Sequence, residues 1–460
     1  MSDLSQLAGH VWLLLTALGR RVERGGLTDE THPPVCGSGD CRSCHHRVQW
    51  GSARGIPSIR AANSPATSAS PAATSGPSTE PTKKRSAKPD AREQARLNEQ
   101  LIKVAWDNDL RRARTLIAQG ADVNAKDTTV QSAYLISTSE GYLELLDLTL
   151  KHGADVDSKD SFNGTGLIRA ADRGHADIAG RLVQADIKIN HSNNLGWTAL
   201  HEAIILGDGS RRYVDTVRVL VAAGADVRLP SQGDQIAPLQ HATSKGHNEI
   251  AHVLRTVLEA DKPSKRQAER RLLAAAESGD ATAAALAIRA GASLESRDDR
   301  GRTPLLLAVT EDHLPVARLL VYLGADPDAL DGQHDTPWLV TGVTGSVDMA
   351  EVLLPTQPDL TIRNRFGGTS LIPASERGHV GYVRRVVRTD IDVNHVNKLG
   401  WTALLEAVIL GDGSKRYQQI VMILLDASAD ASIADRQGVT ALQHAERRGH
   451  REVARILRNV

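Results

Sequence analysis

The chain has 460 residues, more than one compact core ordinarily holds; 41% are hydrophobic but only 3% aromatic, which suits thin helical layers of Ala, Leu, Val and Ile. Lysine plus arginine equals aspartate plus glutamate at 55 each, so no net charge draws the chain to nucleic acid or to an acidic membrane. There is no apolar run of about 18 residues, the length a membrane-spanning helix needs.

Taken in chain order, residues 11–19 form a short apolar run followed by Arg20 and Arg21. A secretory signal places positive charge before the apolar run, whereas here Asp3 stands there. The expectation is an amphipathic or poorly folded helix and a cytoplasmic chain, with export as the alternative. Cys36, Cys41, Cys44 and His45 then supply a candidate zinc set, and Cys41 to His45 also fits the CxxCH spacing of haem attachment. Neither flank offers the packed surround that a metal or haem requires, so no cofactor is expected. Residues 1–60 read as a poorly folded N-terminal region. Residues 61–94 are rich in Ser, Thr, Pro and Ala, with too little apolar surface to offset chain entropy, and read as a flexible linker.

From about Asn98 the chain is periodic. GADVN at 120–124 returns as GADVD at 153–157, and degenerate forms follow at 186, 224, 291, 324, 357, 390 and 428. The steps between them are 33, 33, 38, 67, 33, 33, 33 and 38. The 67 reads as two units whose middle marker is lost near Val257 and Leu258, and each 38 as one unit with a five-residue insertion. A longer repeat lies over the short one: residues 186–213 return as 390–417, matching at 21 of 28 positions without a gap. Such an offset marks a tandem duplication.

Within each unit, Thr198, Thr303, Thr336 and Thr440 open a short apolar helix that Thr can cap. A Gly-His pair, as at 174–175, 246–247, 378–379 and 449–450, then turns the chain into a second helix with apolar residues at i, i+3 and i+4. A helix pair this thin cannot bury its apolar face alone and must stack.

DRGRTPL within 298–305, GADVN at 120–124 and the 33-residue period together resemble the ankyrin repeat. The resemblance covers nearly all of the chain after the linker and implies an all-α solenoid of stacked helix pairs with β-hairpin or turn fingers. Eleven units are expected: a first array over 95–261 and a second over 262–460, stacked continuously despite the Lys-Pro-Ser-Lys interruption at 262–265. Val130, Asn163 and His334 stand where the family favours glycine in the finger.

The resemblance also implies a protein-interaction scaffold, with a protein partner on the concave face of the stack and no small-molecule substrate. Residues the core does not need are the candidate contacts. Phe162 and Phe366, the two phenylalanines, lie 204 apart at finger tips; Trp197 and Trp401 precede the capping Thr. These rings serve either as partner anchors or as glue between fingers. The insertions GDGSRRY and GDGSKRY add Arg212, Tyr213, Arg416 and Tyr417 as further candidates. The other reading, which the residue types favour, has Asp208 and Asp412 capping the next helix and the tyrosines packing down. His191 and His395 read as hydrogen-bonding groups of the finger base.

Catalysis finds no footing. His201-Glu202 begins like HExxH but residue 205 is Ile, and neither GxxxxGK[ST] nor GxSxG occurs. A regulator built on the cysteine cluster, with the repeats as a docking handle, is the second functional reading.

Overall fold

The computed structural model describes residues 90–460. Over them the chain forms eleven successive helix pairs, from Ala91–Trp106 with Leu110–Ala118 to Ala441–Arg447 with Arg451–Leu457. Among the described residues there is no strand. Two isolated antiparallel bridges, Lys159 with Thr165 and Ala434 with Thr440, are the only β pairing there.

The helices begin where their caps dictate. The hydroxyls of Thr303, Thr336 and Thr402 accept the backbone N–H three residues on, at 3.1 to 3.2 Å. The first repeat has no threonine at the capping position. Asp90 caps it instead, accepting from the Glu93 N–H at 2.8 Å, so the helix opens at Ala91 and the first four of its residues fall within the span expected as linker. Leu97, Leu101 and Val104 then lie on one buried face.

The Gly-His turn couples neighbours. His175 reaches back to the Ser139 carbonyl at 3.2 Å, and His379 to that of Val343 at 3.2 Å. The rings cover Gly141 and Gly345, which have φ of 76° and 73°; a Cβ at Gly345 would lie 2.3 Å from the His379 ring. These two glycines answer both a left-handed backbone and a close approach.

The fingers are turns built on a carboxylate or carboxamide. Asp160 Oδ1 accepts from the N–H groups of Phe162 and Gly164, both at 2.8 Å. Asn364 does the same for Phe366 and Gly368, both at 3.0 Å. A side chain thus satisfies donors that a β-ladder would otherwise pair, and the hairpin stays a turn. One finger base is tied to the next by a similar device: Asn190 Oδ1 accepts from the Asp226 N–H and Asn394 Oδ1 from that of Asp430, both at 2.8 Å.

First helices pack on first helices and second on second along each array. The expected continuous stack does not hold between the fifth and sixth pairs. No finger forms there; residues 260–264 run without a turn, and Asp261 pairs with Arg271 at 2.5 Å. The first helices Pro238–Ser244 and Lys265–Ser278 do not continue the ladder. Instead the chain folds back, and the second helices Ala176–Gln184 and Arg211–Ala222 pack against the second helices Ala281–Arg289 and Leu314–Tyr322.

Polar bonds fix this contact. Gln184 Nε2 donates to the Tyr322 carbonyl at 2.8 Å, and Arg289 Nη1 donates to the carbonyls of Val221 and Ala225, both at 2.9 Å. A Cβ at Gly180 would stand 2.3 Å from the Tyr322 carbonyl oxygen, so only glycine lets the two helices approach this closely. Every residue from Tyr213 to Ala222 is buried, whereas its duplicate Lys415–Asp426 buries only Tyr417, Ile420, Val421 and Leu424. The duplicated helices share an ancestry and differ in what covers them.

Candidate functional site

The finger tips carry the aromatic candidates. Asn193 and Asn397 shape the equivalent fingers: each Oδ1 accepts from two N–H groups, those of Leu195 and Trp197 or of Leu399 and Trp401, at 2.9 to 3.0 Å. The preceding finger is tied in by backbone bonds, Asn194 N–H to the Phe162 carbonyl at 2.9 Å and Lys398 N–H to that of Phe366 at 3.0 Å. The turns leave Phe162 48%, Leu195 52%, Phe366 51% and Leu399 53% exposed, a Phe-Leu pair on adjacent fingers in each copy. Trp197 and Trp401 are half-buried beside them, Trp401 against the main core.

Leu195 and Leu399 were not singled out from sequence. The signal was present, since both sit in the N-x-L-G-W stretch at the 204 offset, but a leucine there reads as ordinary core until the turn is seen to point it outward.

The insertion loops bring their residues together differently. Tyr213 and Tyr417 are 5% and 6% exposed, so these two candidates are removed from any contact surface. Their hydroxyls donate to the carbonyls of Asp172 at 3.0 Å and Glu376 at 2.8 Å in the preceding repeat. Burial pushes both phenols above their ordinary range. Each ring carries a guanidinium, Arg212 at 4.8 Å and Arg416 at 5.3 Å from the centroid. Both arginines remain exposed. Asp208 and Asp412 accept from the N–H groups of Ser210 and Ser414, each at 2.9 Å; those serines, not the aspartates, occupy the N-cap positions. The aspartates therefore close the loop one step before the helix.

The histidines at the finger base bond to the preceding finger, His191 to the Asn163 carbonyl at 2.8 Å and His395 to that of Gly367 at 2.6 Å. Behind them lie two buried carboxyls. Glu202 and Glu406 accept from the Asn193 and Asn397 amides at 2.7 and 2.8 Å. Desolvation raises the first to about 8 and the second to about 7, with Asp172 and Glu376 adding like-charge repulsion. Their partners are structural amides, so this pair stiffens the finger.

One constellation has the residue types of a nucleophilic triad. Ser231, Asp234 and His241 meet beneath the finger that precedes the fifth helix pair, with Ser231 Oγ 3.2 Å from His241 Nε2. Yet Asp234 faces the same ring nitrogen at 3.7 Å and holds the serine hydroxyl itself. A triad needs the carboxylate on the opposite nitrogen to orient the ring, so this arrangement is a turn lock.

Among the described residues no cluster of three His, Cys, Asp or Glu could hold a metal, and no helix is long and apolar enough to cross a membrane. Cys36, Cys41, Cys44 and His45 lie outside the described residues.

Where the arrays diverge from their docked helices, a cleft of about 1300 Å³ opens between them. Duplicated ion pairs line it: Asp147 with Arg181 at 2.5 Å and, 204 residues on, Glu351 with Arg385. Their charges cancel locally, so the cleft presents no single-sign field.

A family model described as ankyrin repeats (3 copies) matches residues 134–231 and 239–331. The ankyrin repeat protein YahD of Escherichia coli (strain K12) is 36% identical over 142 residues, covering 31% of this chain and 70% of that protein. A transient receptor potential cation channel subfamily A member 1 homolog of Caenorhabditis elegans is 31% identical over 196 residues, 42% of this chain but only 16% of that protein. Among solved structures, an ankyrin repeat domain from Acinetobacter baumannii AYE is 43% identical and covers 41% of this chain and 96% of that one, with a TM-score of 0.40.

Proposed function

The chain belongs to the ankyrin repeat family, and from that premise we propose that it is a non-catalytic scaffold holding protein partners on its finger tips and first-helix faces. Repeats of this kind are generally protein-interaction modules. What supports the reading most is the pair of Phe-Leu tips, Phe162 with Leu195 and Phe366 with Leu399, all about half exposed. Packing within the repeats does not require four large apolar side chains at the outermost point of polar turns. With about half of each side chain still in water, they forgo roughly 0.8 to 1.5 kcal/mol each relative to full burial. Burial by a partner recovers that energy.

The contact set therefore shifts from the sequence expectation. Phe162, Phe366, Trp197 and Trp401 remain, Leu195 and Leu399 join them, and Arg212 and Arg416 lie apart on the insertion loops. The test is capture of binding proteins by the full chain against a variant with Phe162→Ser, Leu195→Ser, Phe366→Ser and Leu399→Ser. The helical signal should be unchanged and the set of captured proteins lost. Equal capture by both would remove the fingers from the binding surface.

A further inference from the structure

The two copies of the finger surface do not carry the same charge. In the first, the tips from Lys159 to Gln235 hold one exposed lysine, Lys159, and one exposed aspartate, Asp234; Asp160 is buried. In the second, the equivalent tips hold Arg363, Arg365, Lys398 and Arg436, all exposed. The aspartate among them, Asp435, is buried and held by His444 at 2.7 Å. Position by position, Ser161 has become Arg365, Asn194 Lys398 and Gln232 Arg436.

These cations sit on three consecutive fingers in contact. Lys398 Nζ donates to the Arg365 carbonyl at 2.9 Å, and a Cβ at Gly400 would lie 2.7 Å from the Arg436 side chain. Arg365 lies over the Phe366 ring at 4.7 Å and keeps a loose pair with Asp335 at 3.5 Å. Arg363, Lys398 and Arg436 have no carboxylate within 4.0 Å among the described residues. A depression of about 440 Å³ opens between the fingers, walled by Arg363, Arg365 and Lys398. Val396 lines it too, and is 44% exposed where the first copy has Ser192.

We propose that the fingers of the second array form a docking site for an acidic peptide segment that also carries apolar side chains. Resting on the scaffold reading above, this names the chemistry of one partner. Carboxylates of the segment face Arg363, Lys398 and Arg436, and its apolar groups cover Phe366, Val396 and Leu399. A chain whose total charge is balanced has concentrated unpaired cations on one strip, which steers an oppositely charged partner and fixes its register. Nucleic acid fits less well. Exposed Asp359, Asp392 and Asp430 at the bases of the same fingers interrupt the positive strip, which matches spaced carboxylates better than an unbroken run of phosphates. The aliphatic Val396 and Leu399 also offer no face for base stacking.

The experiment pans a random 12-residue peptide display library on the full chain, on R363E/K398E/R436E, and on the first-copy control K159E/N194E/Q232E. Enriched peptides are then synthesised and their binding measured by fluorescence anisotropy beside a thymidine 20-mer. The expected result is enrichment of acidic peptides with apolar residues, bound at least about tenfold more weakly by R363E/K398E/R436E and unchanged by the control. Affinity should also fall as salt rises. All substituted residues are exposed, and a melting curve checks that each variant folds. Enriched peptides that lack acidic character, or bind R363E/K398E/R436E equally well, overturn this proposal and leave the scaffold reading standing. Tighter binding of the oligonucleotide, lost in R363E/K398E/R436E, overturns the peptide class. Enrichment of no peptide by any of the three proteins overturns both readings.

Discussion

The Arg318 guanidinium donates to the Asp215 carboxylate at 2.8 Å across 103 positions of sequence, with both side chains about nine-tenths buried. Arg218 lies on the other side of the same carboxylate at 3.5 Å. Arg218 shares a helix with Asp215 and also pairs with Glu249 at 2.8 Å, so the ion pair that crosses between the arrays is Arg318 with Asp215. The duplicate of Asp215 is Gln419 and that of Arg218 is Met422, so the charged cluster exists only where the arrays dock.

Removing the anion strands the buried Arg318 guanidinium, whereas Arg218 keeps Glu249 at 2.8 Å. Asp215→Ala is expected to cost about 3 to 5 kcal/mol in urea unfolding. Hydrogen exchange should speed up in Arg211–Ala222 and Leu314–Tyr322 before it does in the terminal repeats. A loss below about 1 kcal/mol would mean the pair is solvated and carries no weight at the junction.

Gly180 is the steric counterpart. Its duplicate is Arg384, a residue the second array accommodates on its own second helix. Gly180→Arg should push the arrays apart, read as a larger radius of gyration in small-angle scattering with helix content retained. The reciprocal Arg384→Gly should leave the radius unchanged and cost only the roughly 1 kcal/mol of a glycine in a helix. Identical scattering from Gly180→Arg and the parent would contradict the close approach.

Glu202 and Glu406 set a pH dependence whose sign follows from their folded-state values of about 8 and about 7, above the ordinary 4.5. A carboxyl whose folded pKa is raised binds its proton more tightly when folded. The stabilisation is complete below the unfolded value and drains away as pH climbs through the folded one. Stability should therefore fall between roughly pH 4.5 and 8, by on the order of 5 kcal/mol for Glu202. Glu202→Gln with Glu406→Gln keeps an acceptor for each asparagine and should flatten that slope in melts taken from pH 5 to 9. A slope equal to the parent's would assign the effect elsewhere.

Val130 holds φ at 62° in a finger position where five other repeats place glycine, at 196, 301, 367, 400 and 438. A β-branched residue is strained in the left-handed region. Val130→Gly is expected to raise stability by about 1 kcal/mol, the relief of strain exceeding the entropy glycine adds to the unfolded chain. A lower urea midpoint would show that packing of the valine outweighs its backbone.

Much of this was legible in the residues themselves, because a solenoid repeats its instructions. The 33-residue period, the capping threonines and the Gly-His turns each follow from short-range chemistry that recurs in unit after unit. Phe162 and Phe366 stood out because phenylalanine is otherwise absent. The fate of Tyr213 and Tyr417 was half legible: their loop was, but burial depends on Asp172 and Glu376 one repeat away. The fold-back was not legible at all. The spacing across residues 257–266 stays within one residue of two repeats, and Gly180, Asp215 and Arg218 lie on helix positions that usually face water. Only the divergence between copies, Gly180 against Arg384 and Asp215 against Gln419, marked the place, and its meaning needs the partner helices in view.

The junction also alters how the chain acquires its shape. In a plain solenoid each repeat touches only its neighbours, and folding can start anywhere and spread. Here Gln184 must find Tyr322, 138 residues away, before either middle segment is complete. Closing that span costs loop entropy before any contact rewards it. Each arm should therefore zip up quickly by itself, and a slower, separate phase should mark the moment the two meet.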